Sequence, residues 1–208
     1  PLLLYNLENQ IRTDYSGYSQ LANFYHFCKV NPGDHIHIDF SDVNFFDGNL
    51  SALLWAIVHK ANKENGNTFQ TEASVIKERF SILYRNGFLP DPDIVYDERD
   101  STIPIKAFDC KNKIGFSEYI ENTLLKHRGI SDHLNSLLSE KIADDLLEVF
   151  GNTTYHANTT DPFFVGGQYY PKMGVLKFTM VDMGDGFLPR VQRATNGEIT
   201  DNLETIKW

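Results

Sequence analysis

Apolar residues near the N-terminus change from a helical to a strand-like spacing. Intervals of three and four residues predict a first helix that ends at Pro32-Gly33. Its apolar positions are Leu21, Phe24, Tyr25 and Cys28. The segment HIHIDF, residues 35–40, alternates strictly and predicts a strand with one buried face. We interpret the following segment, DVNFFDGN, as a loop.

A second amphipathic helix follows that loop. Its apolar stripe at helical spacing consists of Leu50, Leu53, Leu54, Ile57, Val58 and Ala61. We expect Asn49 or Asp47 to cap its start and Asn65-Gly66 to end it. A third helix is predicted over Ser74–Arg85. Helices that alternate with strands indicate an α/β fold class.

The chain changes character at residues 89–104, which contain three prolines and many carboxylates and predict a domain boundary. Helices are predicted beyond it, at residues 116–126 and from 131 to about 157 with a break near Ser139. Two strands joined by a tight turn at residues 171–174 come next.

Composition narrows the classes of function. The formal net charge is −9, and no cluster of Lys and Arg exceeds two residues, so nucleic acid is not expected as a partner. The two cysteines, Cys28 and Cys110, lack metal-ligand spacing and are interpreted as buried free thiols in a reducing, cytoplasmic setting. No apolar run reaches membrane-spanning length. Because the chain begins at Pro1 without a Met, we expect a fragment.

The segment LLEVFGNTTYHANTT carries three polar residues spaced four apart: Glu148, Asn152 and His156. Four residues turn a helix by about 400°, so these three side chains share one face. The alternative is a solvated polar stripe on a surface helix. The poor helix formers in this segment, including Asn152 and Gly151, argue against a stripe selected only for solubility.

The segment VDMGDGF places Asp182 at the end of an apolar strand, followed by Gly184 and Gly186. A carboxylate at a strand end can accept a hydrogen bond from an exocyclic amine, and nearby glycines let a flat ring or a phosphate approach the backbone. The alternative is an ordinary turn at the end of a strand.

Taken in order, the Glu-x3-Asn-x3-His helix, the strand pair and the Asp-x-Gly-x-Gly segment resemble the GHKL (histidine-kinase-like) ATPase superfamily. The resemblance implies ATP and Mg²⁺ as cofactors, with Asn152 as the metal ligand and Glu148 as the catalytic general base. It implies that Asp182 reads the adenine amino group and that Gly184 and Gly186 line the base pocket. His156 falls where the family varies, so it lines the pocket or is structural.

The sequence departs from this family near its end. Twenty-two residues follow Gly186 and include one glycine, whereas the family has a lid and a second glycine-rich motif that cradles the phosphates. We therefore expect the domain to be incomplete and this fragment to be inactive alone.

Residues 33–70 resemble a STAS domain, with a strand, the loop FFDGN and an amphipathic helix. The family's phosphoacceptor serine falls on Gly48, so the resemblance implies docking rather than a phosphorylation switch at that loop. The expected organisation is a STAS-like α/β domain at 1–92, a linker at 93–112 and a GHKL-like domain at 113–208. The latter is expected as an α/β sandwich, a mixed sheet with helices on one face.

A competing site is the row formed by His35, His37 and Asp39 on one face of the predicted strand. Two imidazoles and a carboxylate are a ligand set for Zn²⁺ or Fe²⁺. The alternative is a polar solvent face, since same-face residues on one strand lie roughly 6–7 Å apart and rarely supply three ligands.

The sequence thus predicts a signalling protein that binds ATP and Mg²⁺ and controls an unidentified protein partner. It would do so by phosphorylation, as a GHKL-type serine/threonine kinase or ATPase, or by nucleotide-dependent docking. The alternative is a non-catalytic interaction module built on the same folds. Homodimerisation is possible because relatives of both kinds often pair.

Overall fold

A computed structural model describes residues 2–89, 97–156, 159–186 and 188–201, with the side chain of His156 left out. The strands are β1 (Leu2–Ile11), β2 (His35–Phe46), β3 (Thr68–Gln70), β4 (Thr102–Phe108), β5 (Phe163–Tyr170) and β6 (Val175–Val181). The helices are α1 (Tyr15–Val30), α2 (Leu50–Asn65), α3 (Ala73–Arg79), α4 (Ser81–Arg85), α5 (Lys113–Tyr119), α6 (Arg128–Ser131), α7 (Ser136–His156) and α8 (Leu188–Ala194). A π-helical turn, Ile120–Leu124, continues α5.

The expected α/β class is confirmed at this coarse level, with two three-stranded sheets. The first sheet has the order β1-β2-β3 and is parallel throughout. The second has the order β4-β5-β6 and, over the part of the chain described, is antiparallel throughout rather than mixed. Strand β4 lies within residues 93–112, so the stretch expected as a linker contributes a strand to the second sheet.

Helix α2 lies between the two sheets. Its buried residues Leu50, Leu54 and Ile57 belong to the core of the first sheet. On another side, Ala56 packs with Phe164 of β5. Helix α2 therefore covers the face of the second sheet that carries Phe164.

Close approach of α2 to β5 depends on glycine. A Cβ placed on Gly166 would lie 3.3 Å from the Cβ of Ala52, which is tighter than ordinary contact. The other face of β5 buries Phe163 and Val165 beneath the helices of the C-terminal half. There the rings of Phe116 and Phe150 stack with centroids 4.6 Å apart, which anchors α7 to α5.

Several boundaries differ from the sequence predictions. The segment interpreted as a loop at 42–46 continues β2, because β1 extends to Ile11 and accommodates it through two register shifts. The third predicted helix is two helices, since Phe80 leaves the helical conformation and packs its ring 6.0 Å from Phe40. The break predicted near Ser139 lies instead between α6 and α7.

The caps of α2 also differ in part. Gly66 adopts φ +71° and ends the helix, as predicted. Asn49 precedes the helix without a side-chain capping hydrogen bond, and Asp47 uses its side chain elsewhere.

Candidate functional site

Helix α7 presents its predicted polar row to the outside. Glu148 and Asn152 are both exposed, whereas Phe150 and Thr153 on the same helix are buried. Val149 is 49% exposed and follows Glu148 in the sequence. The outward face of α7 is therefore accessible to a ligand. The side chain of His156 lies outside the described residues.

Strand β6 carries Asp182 directly after its last residue. The Asp182 carboxylate is exposed, and its Oδ1 accepts a hydrogen bond of 2.7 Å from the backbone N–H of Gly184. Gly186 adopts φ +72°, a left-handed conformation that favours glycine. The segment thus forms a tight turn, and one carboxylate oxygen of Asp182 supports it.

A cleft of about 660 Å³ lies where the end of α7 meets this turn. Its walls come from four places: the last turn of α7, the segment before β5, the Asp185-Gly186 turn and helix α8. The wall residues are Thr154, Tyr155, Thr159, Thr160, Asp185, Gly186, Pro189, Arg190 and Arg193. The structure therefore brings the end of the Glu-Asn-His helix and the end of the Asp-x-Gly-x-Gly segment to one cavity.

Of the residues predicted for the site, Gly186 is part of the cleft wall. Glu148, Asn152, Asp182 and Gly184 belong to the two elements that form the cleft but are not among its wall residues. Glu148 and Asn152 precede the wall residues Thr154 and Tyr155 on α7, and Asp182 precedes the wall turn.

Two arginines in the wall were missed by sequence reasoning. Arg190 and Arg193 are exposed on α8 and form no ion pair with any residue that the structure describes. Their spacing of three residues places both side chains on one face of a helix, and this signal is visible in the sequence.

Thr154 donates its hydroxyl proton to the carbonyl of Cys110, which holds the last turn of α7 against the end of β4.

The strand that carries Asp182 is fixed by a buried carboxylate from the other sheet. Asp47 is fully buried, and its Oδ2 lies 2.7 Å from the Nζ of Lys177 on β6. The same oxygen accepts hydrogen bonds from the N–H of Thr13 at 2.7 Å and from its hydroxyl at 2.9 Å. Tyr170 on β5 donates its hydroxyl proton to Oδ1. We name Asp47, Thr13, Tyr170 and Lys177 the junction cluster.

The pKa values in the junction cluster follow from these contacts. Burial alone would raise the pKa of Asp47, but the hydrogen bonds from Lys177, Tyr170 and Thr13 outweigh burial and hold it below its usual value. Burial, and then the bond to the Asp47 carboxylate, raises the pKa of Tyr170. Asp47 is therefore an ionised group that joins the two sheets.

The loop expected to dock a partner is already covered within this chain. The N–H of Gly48 donates to Oε1 of Gln168 at 2.7 Å, and Asn49 donates to the hydroxyl of Thr179 at 2.8 Å. A Cβ on Gly48 would lie 2.7 Å from Cγ1 of Ile82, so no larger residue fits there without rearrangement. Side chains of β5 and β6 therefore cover this loop.

The competing metal site is not supported. The ring nitrogens of His35 lie 2.7 Å from Thr68 Oγ1 and 2.9 Å from Gln70 Oε1, so polar residues of β3 engage both. Asp39 accepts hydrogen bonds from Ser41. Across the described ranges, no group of three His, Cys, Asp or Glu residues is placed to hold a metal ion. Cys28 and Cys110 are buried free thiols, as predicted.

Comparisons with known proteins found no matching family model, no matching curated protein and no matching solved structure. None of the helices in the described part of the chain is both long enough and apolar enough to cross a membrane.

Proposed function

We propose that the chain binds ATP with Mg²⁺ in the cleft between α7 and the turn after β6, and that binding controls a protein partner. The observation that carries this proposal is that the two segments with ATPase-like motifs end at the walls of one cleft. They lie far apart in the sequence, so their meeting is a property of the fold.

The cleft has the size and charge for a nucleotide. Its volume of about 660 Å³ lies within the range of small-molecule sites, about 300–1,000 Å³. Arg190 and Arg193 supply two guanidinium groups that form no ion pair among the described residues. Such groups bind phosphate oxygens by paired, charge-assisted hydrogen bonds. Thr159 and Thr160 add hydroxyl groups to the same wall.

The available donors suit a metal ion that arrives on the phosphates. Mg²⁺ prefers oxygen ligands and is usually held by one or two protein groups together with substrate phosphates and water. The exposed amide of Asn152 would supply such an oxygen. When bound, the ion would neutralise phosphate charge.

The remaining roles fall on exposed carboxylates. Asp182 uses Oδ1 for the turn, which leaves Oδ2 to accept a hydrogen bond from the adenine amino group. Glu148 is open to solvent on α7 and would take a proton from the attacking water or from a partner's hydroxyl. If the chain catalyses a reaction, Asp182 selects adenine and Glu148 transfers the proton.

One observation favours a second candidate, a non-catalytic interaction module. Glu148 and Asn152 are exposed but do not form part of the cleft wall. In a module of this kind, nucleotide would not be needed for docking. Partner binding would then survive Asn152→Ala, whereas a nucleotide-driven protein would lose it.

Calorimetric titration with ATP, with and without Mg²⁺, tests the main proposal. We expect binding that strengthens with Mg²⁺, that weakens at least tenfold in Asp182→Asn, and that loses its Mg²⁺ dependence in Asn152→Ala. Asp42→Asn, an exposed carboxylate on β2, is the matched control and should bind as the unmodified chain does. Equal binding by Asp182→Asn and the unmodified chain would reject the assignment of Asp182 to adenine.

A further inference from the structure

A second, larger cleft of about 1,050 Å³ lies between the two sheets, away from α7 and α8. Its walls come from the end of β2, helices α3 and α4, residues 98–101, α6 and the turn between β5 and β6. Nothing in the proposed ATP site uses these residues. Clefts at the junction of two packed units are common places for small-molecule binding.

The charge of this cleft is opposite to that of the chain. Five of its wall residues are Arg or Lys, and two are Glu or Asp. The whole chain has 19 Lys and Arg against 28 Asp and Glu. The basic residues are Arg79, Arg85, Arg99, Arg128 and Lys172. A positive cleft on an acidic protein concentrates anions locally.

Two of these arginines are held in place by backbone carbonyls. Arg79 donates to the carbonyls of Ser41 and Val43 at 2.6 and 2.7 Å. Arg128 donates to the carbonyl of Arg99 at 2.6 Å and lies 3.4 Å from the exposed carboxylate of Asp100. Carbonyls orient a guanidinium without neutralising its charge, so Arg79 stays available to an anion.

The other basic residues differ in how far they are neutralised. Arg85 is largely paired, because its Nε lies 2.8 Å from Asp97 Oδ1, although the N–H does not point at that oxygen. Arg99 and Lys172 are exposed and form no ion pair within the described chain. Three positive charges thus have no acidic partner among the described residues: Arg79, Arg99 and Lys172.

The walls also carry apolar and aromatic surface. Phe45 and Tyr170 are partly exposed there, and Met173 at the hairpin turn is 62% exposed. Guanidinium groups beside aromatic faces suit a ligand that combines a phosphate with a flat ring. An inorganic anion would leave this apolar surface uncovered.

We name this second, larger cleft the junction cleft. We propose that it binds a small organic phosphate with a flat ring, of the nucleoside monophosphate class. The phosphate contacts Arg79, Arg99 and Lys172, and the ring lies against Tyr170 and Met173. This site is separate from the proposed ATP cleft and does not depend on it.

Titration with AMP as the probe tests the proposal. Arg99→Gln and Lys172→Gln remove charges that have no ion-pair partner in the described chain, so both variants should stay folded, which circular dichroism checks. We expect each change to weaken AMP binding about tenfold, as for loss of one charge-assisted contact. Inorganic phosphate should bind more weakly than AMP, and high salt should weaken both.

Two controls make the result decisive. The Lys106→Gln/Lys126→Gln double variant removes two exposed charges outside the cleft and should leave the AMP affinity unchanged. Arg193→Gln, in the other cleft, reports whether AMP binds there instead. The proposal is overturned if AMP does not bind at millimolar concentration, if only Arg193→Gln weakens it, or if a hexaglutamate peptide binds in place of AMP.

Discussion

Replacing Asp47 by Asn tests how strongly one buried carboxylate joins the two sheets. The carboxylate receives hydrogen bonds from Thr13, Tyr170 and Lys177, and none of its surface is exposed. An amide has the same shape, but it carries no charge, and its NH₂ group would face one of these donors. Lys177 would lose the only acidic partner that the described chain gives it.

The expected loss follows from these contacts. Hydrogen bonds to charged groups contribute about 1.5–3 kcal/mol each, and removing one member of a buried ion pair costs about 3–5 kcal/mol. Lys177 keeps 28% of its side chain exposed, so water can solvate its ammonium group after the change. We therefore expect Asp47→Asn to lower the free energy of unfolding by about 3 kcal/mol, the lower end of that range.

The loss should also depend on pH. The folded-state pKa of Asp47 lies below its usual value, so its stabilisation is present above the unfolded pKa of about 4 and is lost as pH falls toward the folded pKa. The difference in the free energy of unfolding between the unmodified chain and Asp47→Asn should therefore be largest at neutral pH and should decrease in acid.

Urea denaturation at neutral pH and at several acidic values measures both effects. Asp42→Asn is the matched control, because this carboxylate lies on β2, the strand that ends just before Asp47, but is exposed. Lys177→Met completes a double-mutant cycle with Asp47→Asn, for which we expect a coupling energy of about 1–3 kcal/mol. A loss below about 1 kcal/mol, or a loss independent of pH, would refute the junction cluster as a link between the sheets.

Three further changes test packing. Gly48→Ala should destabilise the protein by about 1–3 kcal/mol, because its Cβ would clash with Ile82, whereas Gly151→Ala has open space and should stabilise α7 by about 0.5–1 kcal/mol. Thermal denaturation should show opposite shifts in melting temperature, and equal shifts would contradict this description of the loop. Phe116→Ala removes the ring stacked on Phe150 and should cost about 3–5 kcal/mol in urea denaturation; a loss below about 1 kcal/mol would show that this stack does not hold α7.

Elements set by local pattern could be predicted from the sequence. Helix α2 was predicted because its apolar stripe and Gly66 are local signals, and α1 for the same reason. The continuation of β2 through residues 42–46 was not predicted, because it depends on pairing with β1 across register shifts. Local pattern contains no information about that partner strand.

The candidate site shows the same limit. Helical spacing predicted that Glu148 and Asn152 share one face, and both are exposed on α7. The pairing of Asp47 with Lys177 spans 130 residues and has no local signature, so the loop looked open in the sequence. The role of Arg193 in a cleft wall likewise depends on where α8 packs.

The central claim is that MgATP binds between α7 and the turn after β6. Nuclear magnetic resonance of the ¹⁵N-labelled chain during an MgATP titration tests it most directly, because each backbone amide reports its own surroundings. The account predicts saturable shifts concentrated at residues 152–155, 159–160 and 182–193, with small shifts at residues 79–85 and 98–101. No shifts at millimolar MgATP, or shifts confined to the junction cleft, would contradict it.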